Sequence, residues 1–236
     1  MRSAGHIVAK ALEMVGEEIK DGMTTGQLDA LVEECIRAND SVPAFKGYHG
    51  FPASACISIN EEVVHGIPGD RVIKDGDIVS VDIGSILDGF YGDSAKTFAI
   101  GEISEEKQQL MEITEKSLLA GIDKARNGNK LGQISAAVQK VAEENGYGVV
   151  RQLVGHGIGR NMHEDPQVPN YGSANEGPVL KTGMVIAIEP MINCGTYQVK
   201  TLPDGWTIVT SDGLPSAHFE HTIAITDNGP DILTAL

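Results

Sequence analysis

Two stretches of the chain repeat each other, and one repeat closes on a carboxylate in both copies. Lys74-Asp75-Gly76-Asp77-Ile78-Val79-Ser80-Val81-Asp82 aligns without a gap on Lys181-Thr182-Gly183-Met184-Val185-Ile186-Ala187-Ile188-Glu189, an offset of 107 positions. Upstream, Gly22-Met23-Thr24-Thr25-Gly26-Gln27-Leu28 aligns on Gly128-Asn129-Lys130-Leu131-Gly132-Gln133-Ile134, an offset of 106. Two matches at nearly one offset predict a single domain of 236 residues made of a duplicated half, about 1–102 and 103–236, folded onto itself. A site at the resulting pseudo-twofold axis would receive acids from both sides.

Hydrophobic periodicity fills in the halves. Residues 4–20 carry Ile7, Ala11, Leu12, Val15 and Ile19 at helical spacing, and Asp21-Gly22 ends that helix. Thr25 is placed to cap a second helix with Leu28, Leu31, Val32, Cys35 and Ile36 inward. The second half begins likewise. Ser104 caps a helix running to about Ala125 with Leu110, Ile113, Leu118 and Ile122 apolar, and Asn127-Gly128-Asn129 separates it from a helix between Leu131 and about Glu144. Strands follow each helix pair: 55–59, then 77–86 returning through Asp88-Gly89 as Phe90 to Ile100, and later a meander of 184–192, 206–210 and 218–226. The order ααββ, given twice, predicts an α+β fold with helices packed beside a mostly antiparallel sheet.

The formal charge of −15 argues against a nucleic-acid backbone or an anionic membrane as partner. Part of that excess fits a cation site, whose acids count as negative until the cation arrives. Cys35, Cys56 and Cys194 are odd in number and far apart, with no CxxC pair, so a reducing cytoplasm is expected and no disulfide framework. No apolar run approaches the roughly 18 residues of a membrane span, and Met1-Arg2-Ser3-Ala4 leads into a helical pattern rather than a signal peptide.

The hairpin places two acids together. With Asp88-Gly89 as its loop, Asp82 faces Ala95 and Asp93 faces Gly84. Asp82 and Asp93 are then diagonal neighbours on one face, with Cβ atoms roughly 7–8 Å apart or less, while Val79, Val81 and Ile83 take the core face. A lone strand Asp is ordinarily an edge or turn residue. Here Glu189, in Val185-Ile186-Ala187-Ile188-Glu189-Pro190-Met191, and Glu220, in Ala217-His218-Phe219-Glu220-His221-Thr222-Ile223, repeat the pattern. Acids buried together repel one another and are costly to desolvate, so these call for a cation. Gly155-His156-Gly157-Ile158-Gly159 brackets one imidazole with glycines, which opens an approach to it; the Lys and Ser/Thr of a phosphate loop are missing. His65 and His163, taken singly, have a structural or exposed reading, as do His6 and His49. His218 shares the face of Glu220 and could line a site, whereas His221 points to packing.

Val81-Asp82-Ile83-Gly84, Tyr91-Gly92-Asp93, Gly155-His156-Gly157-Ile158-Gly159, Ile188-Glu189-Pro190 and Phe219-Glu220-His221-Thr222, in this order, together with Asn60-Glu61-Glu62-Val63-Val64-His65-Gly66, resemble the methionine aminopeptidases across essentially the whole chain. The absence of long insertions between His163 and Glu220 is similar to the shorter type I enzymes. The resemblance implies a pita-bread fold and a dinuclear metal centre. In it Asp82 holds one ion through both oxygens, Asp93 and Glu220 bridge, and His156 with Glu189 completes the other ion. It further implies a water nucleophile, Glu189 handling protons, His163 donating to the developing oxyanion and His65 contacting the scissile amide nitrogen. Tyr48, Phe51, Cys56, Met162 and Trp206 would line the methionine pocket. The implied reaction is removal of the N-terminal methionine from nascent chains with a small second residue, in the cytoplasm, at the ribosome, by a monomer. The oxygen-rich donor set suits Mn²⁺ or Fe²⁺ and accepts Co²⁺, with Zn²⁺ also in range, and four carboxylates balance two divalent ions.

Three departures stand out: relatives begin about a dozen residues earlier, Met162 replaces a common Phe, and Val64 a common Cys. Two other readings stay open. A proline-specific aminopeptidase, prolidase or creatinase would share the fold, but those usually carry an N-terminal domain for which this chain has no room. A binding protein that has lost catalysis would lack ligands that are all present here.

Overall fold

The computed structural model covers residues 1–236. Its helices are α1 (Arg2–Glu18), α2 (Thr25–Ala38), α3 (Glu105–Lys124) and α4 (Gly132–Glu144), and its strand pairs are antiparallel. The α+β class is as expected. No helix is long and apolar enough to cross a membrane.

The sequence repeat is also a repeat of backbone hydrogen bonds. Gly22 N–H donates to the Ile73 carbonyl as Gly128 N–H does to that of Leu180, and Ile73 donates back to Met23 as Leu180 does to Asn129. Gly76 and Gly183 hold matching turns at φ 87° and 95°, the left-handed region that disfavours a Cβ. Their N–H groups donate to the carbonyls of Ile100 and Ile225.

The cap of α2 is Thr24 rather than Thr25. Thr24 is extended, its hydroxyl accepts from Gln27 N–H, and the Gln27 side chain accepts from Thr24 N–H, a reciprocal capping box. Thr25 is already helical and spends its hydroxyl on the Gly69 backbone, donating at 3.2 Å and accepting at 2.9 Å. Ser104 caps α3 as expected. Within α3, Ile113 is only half-buried, and the buried Thr114 and Ser117 donate to the Leu110 and Thr114 carbonyls of their own helix.

Each half supplies a core. Val15, Leu28, Val32 and Ile36 pack on Val79, Val81 and Ile83 in one; Leu118, Ile122 and Ile134 pack on Ile186 and Ile188 in the other. The long hairpin, Ile78–Leu87 with Phe90–Ala99, has the expected register: Asp82 opposite Ala95 and Gly84 opposite Asp93.

The later strands differ from the expected meander. The 184–192 segment divides into Val185–Ile188, paired with His221–Thr226, and Met191–Asn193, paired with Ser216–His218 in a separate sheet. The 206–210 segment contributes Ile208–Thr210 to a third sheet, beside Glu62–Val64. The breaks fall at Glu189-Pro190 and at Phe219-Glu220. Pro190 has no N–H to give a ladder, so the strand cannot run on unbroken there. Both glutamates therefore stand where a chain passes from one sheet to another.

Candidate metal centre

Side chains replace the missing ladder at these breaks. Glu220 N–H donates to the Ala95 carbonyl at 2.9 Å, and the Ser94 hydroxyl donates to the Glu220 carbonyl. Thr222 Oγ1 accepts from Asp93 N–H at 3.2 Å and donates to the Asp93 carbonyl at 2.7 Å. The long hairpin and the Glu220 break are thus stitched together by Ser94 and Thr222, with Asp93 and Glu220 brought side by side.

His156 lies in the short strand Gly155–Gly157, between glycines that the fold requires. A Cβ on either glycine would strike the backbone carbonyl of Ala187 or Asp165. Nδ1 of His156 lies 2.9 Å from the Gly157 carbonyl, an acceptor, so Nδ1 donates and Nε2 keeps its lone pair. That nitrogen is 3.7 Å from Asp93 Oδ2 and 3.5 Å from Glu189 Oε1. Burial pushes the imidazole down to about 4, so it is neutral near pH 7.

Asp93, His156 and Glu220 are buried and present ligand atoms all within 4.8 Å of one another. Burial, then the neighbouring charges of Glu220 and Asp82, hold the Asp93 carboxyl well above the usual range. Burial raises Asp82 to about 7. It also raises Glu189, beside Asp93 and Asp82, and Glu220, beside Glu189 and Asp82. Asp82 Oδ1, Asp93 Oδ1 and Glu220 Oε1 are buried without a hydrogen-bond partner. Carboxylates in that condition are expensive unless a cation takes their charge and their lone pairs. Hard oxygens with one imidazole lone pair therefore fit divalent ions.

The acids open onto a cavity of about 220 Å³. All twelve residues singled out in the sequence line it: Asp82, Asp93, His156, Glu189, Glu220, His65, His163, Tyr48, Phe51, Cys56, Met162 and Trp206. Cys56 sits directly opposite Asp82 in strand register, so the apolar wall continues from the acids without interruption. Phe51 and Trp206 meet edge to face with centroids 5.2 Å apart. His65 has φ 59°, a left-handed conformation uncommon outside glycine, and its ring stands edge-on to Trp206 at 6.5 Å.

Two lining residues were missed. Phe45 follows Pro43-Ala44 in an apolar loop with no motif of its own; its room is made by Gly84, where a Cβ would lie 2.6 Å from the Phe45 ring. His49, read as exposed or structural, also lines the cavity, with its ring 4.4 Å from that of Tyr48. His218, by contrast, is buried off the cavity with both ring nitrogens unpartnered, and His221 packs with Nδ1 2.9 Å from Thr234 Oγ1. His6 is exposed.

One contact joins wall to chemistry. Tyr48 Oη lies 2.7 Å from His163 Nδ1. A phenol donating there leaves the imidazole proton on Nε2. Burial lowers the His163 pKa, so the ring stays a neutral donor near pH 7.

The sequence pattern of metallopeptidase family M24 matches residues 1–227. The chain belongs to that family. A methionine aminopeptidase of Clostridium acetobutylicum is 57% identical over 235 residues, covering 99% of this chain and 94% of that protein. The crystal structure of methionine aminopeptidase from Thermotoga maritima superposes with a TM-score of 0.99 at 47% identity, covering 100% of this chain and 95% of that one. A prolidase from Pyrococcus furiosus superposes at a TM-score of 0.79 and 26% identity, and there the match spans 62% of the longer chain. Within the family, the chain groups with the methionine aminopeptidases, and its fold is the pita-bread fold the resemblance implied. A family of metallopeptidases and a buried cluster of metal-ligating side chains together mean a divalent-metal enzyme.

Proposed function

We propose that the chain removes the N-terminal methionine from nascent proteins and peptides with a small second residue, using two divalent ions. The observation that carries this reading is the meeting of four carboxylates and one imidazole lone pair, several of their oxygens unpartnered, in a small cavity whose remaining lining includes Phe45, Phe51, Cys56, Met162 and Trp206. Asp82 would hold one ion, His156 and Glu189 the other, and Asp93 and Glu220 both. Paired ions of this kind supply Lewis-acid activation of water and of a carbonyl.

The remaining steps belong to the chain's own side chains. Glu189, placed beside His156 with Nε2 to Oε1 at 3.5 Å, would take the proton of the attacking water and pass it to the departing amine. His163 donates from Nε2 to the carbonyl oxygen as negative charge grows there, and His65 contacts the scissile nitrogen. Phe45, Phe51, Cys56, Met162 and Trp206 enclose a flexible thioether, which suits aromatic and sulfur contacts. The acids line the same cavity of about 220 Å³ as the apolar residues, and the residue after methionine, reaching the crowded acid cluster, would have to be small.

The donor set favours Mn²⁺ or Fe²⁺ and admits Co²⁺ or Zn²⁺. We place the enzyme in the cytoplasm, in keeping with its free cysteines, as a monomer acting on nascent chains as they leave the ribosome.

The test is release of free methionine from Met-Ala-Ser against X-Pro peptides, with and without added Mn²⁺ or Co²⁺. The parent protein should cleave Met-Ala-Ser only with metal, and Asp93→Ala should abolish turnover by removing a ligand shared by both ions. Wild-type turnover and metal content in Asp93→Ala would overturn the assignment. Preference for X-Pro peptides would favour the prolidase reading instead.

A further inference from the structure

We infer that Asn170 is a positioning residue that fixes Glu189 against His156. The inference rests on the proposed reading that these two side chains hold one ion.

Glu189 stands in the break between Val185–Ile188 and Met191–Asn193, two strands of different sheets. The ladder with His221–Thr226 ends at Ile188, opposite His221, so the Glu189 carbonyl has no strand partner. Asn170 supplies one: its Nδ2 donates to that carbonyl at 3.0 Å. The orientation of the amide is not arbitrary, because a flipped amide would set oxygen against oxygen.

Asn170 is 1% exposed, and its Oδ1 has no hydrogen-bond partner. A buried amide that leaves an oxygen unsatisfied for the sake of one donor bond is a costly choice for mere packing. The residue follows the Glu164–Val168 strand, which pairs with Gly155–Gly157, the strand of His156. One amide therefore ties the hairpin that carries the imidazole to the break that carries the carboxylate. Those two groups lie 3.5 Å apart, Nε2 to Oε1. Partners that orient metal ligands typically change metal affinity or activity roughly 10- to 100-fold when lost.

The experiment compares the parent with Asn170→Asp, Asn170→Ala and Glu189→Ala. Asn170→Asp is isosteric but puts an oxygen against the carbonyl; Asn170→Ala removes the donor without repulsion. Each protein is stripped and titrated with Co²⁺, following heat of binding and the visible d–d absorption, and kcat and KM are measured on Met-Ala-Ser. Melting temperature of the metal-free form reports the fold. The expected result is an Asn170→Asp protein that binds one Co²⁺ as the parent does and the second at least about tenfold more weakly, with an altered d–d spectrum for that ion. Its kcat should fall while KM holds, and Asn170→Ala should show the same change to a smaller degree. Parent-like affinity and spectrum in both Asn170 variants, or a lowered melting temperature as their only change, would overturn the inference. Glu189→Ala separates this from failure of the underlying reading. If it too binds both ions like the parent, the ligand assignment is wrong; if it loses one ion while the Asn170 variants do not, only the positioning role is.

Discussion

In the proposed mechanism His163 would serve a developing oxyanion as a donor, with Tyr48 donating to Nδ1 and the imidazole proton left on Nε2. His163→Ala should therefore lower kcat by roughly 10²–10³ while KM, metal content and melting temperature hold. Tyr48→Phe keeps the ring but frees the tautomer, so its kcat should fall by about tenfold, the scale of one hydrogen bond. Normal kcat in His163→Ala would end the catalytic claim. The titrating residues make a second prediction, with a sign. Asp82, raised to about 7, and Asp93, Glu189 and Glu220, each raised well above the usual carboxylate range by burial, bind more protons folded than unfolded, so their contribution is present at low pH and lost as pH rises through the folded values. The buried histidines, His156 at about 4 and His218 at about 3, act oppositely, around and below their ordinary 6.5. The opposing share of the histidines fades through 6.5 and is gone by about pH 7.5, above which the raised acids set the sign. The melting temperature of the metal-free protein should fall from about pH 7.5 to 8.5, and metal, which needs the acids ionised, should abolish that fall. A metal-free melting temperature that is flat or rising over this window would mean that the acids are not buried together.

At the scale of elements, what the sequence reveals is what depends on near neighbours. The hairpin register follows from one Asp88-Gly89 turn and period-two alternation, so the Asp82–Asp93 pair could be read directly. The matching turns at Gly76 and Gly183 left a readable repeat because only a few residues tolerate their backbone. The strand breaks were not legible: Pro190 is visible, but not the exchange of sheets on either side of it. Phe45 was missed because its place in the cavity depends on Gly84, on a different element, and the Tyr48–His163 contact joins residues 115 positions apart. Gly84→Ala tests that dependence. Its Cβ would lie 2.6 Å from the Phe45 ring and 2.9 Å from Ala44 Cβ, so Phe45 and its loop must shift. Overpacking of this kind costs about 1–3 kcal/mol. Methionine should bind more weakly, read by the fluorescence of Trp206, the single tryptophan, which touches Phe51. Unchanged methionine affinity in a folded Gly84→Ala protein would remove Phe45 from the pocket wall.

For the whole molecule, the proposed ligands come from both copies of the repeat: Asp82 and Asp93 from the first, His156, Glu189 and Glu220 from the second. The cores are shared in the same way. Ile78 packs into the cluster of α3 and α4, and the cluster beneath the site draws Phe45 and Cys56 from one side and Ile158 and Met162 from the other. Ions held between the copies can bind only when both are folded, so metal should stabilise the chain as one unit. At a free concentration of 100 times Kd, one ion contributes about 2.7 kcal/mol. For a chain of this size each kcal/mol moves the midpoint by about 2–4 °C, which gives a rise of roughly 5–10 °C. Near- and far-ultraviolet signals should move together through a single transition. Asp93→Ala should lose the rise without splitting the transition. If loading instead produced two transitions, only one of which responded to metal, the ions would be held within one copy and the shared centre would be wrong.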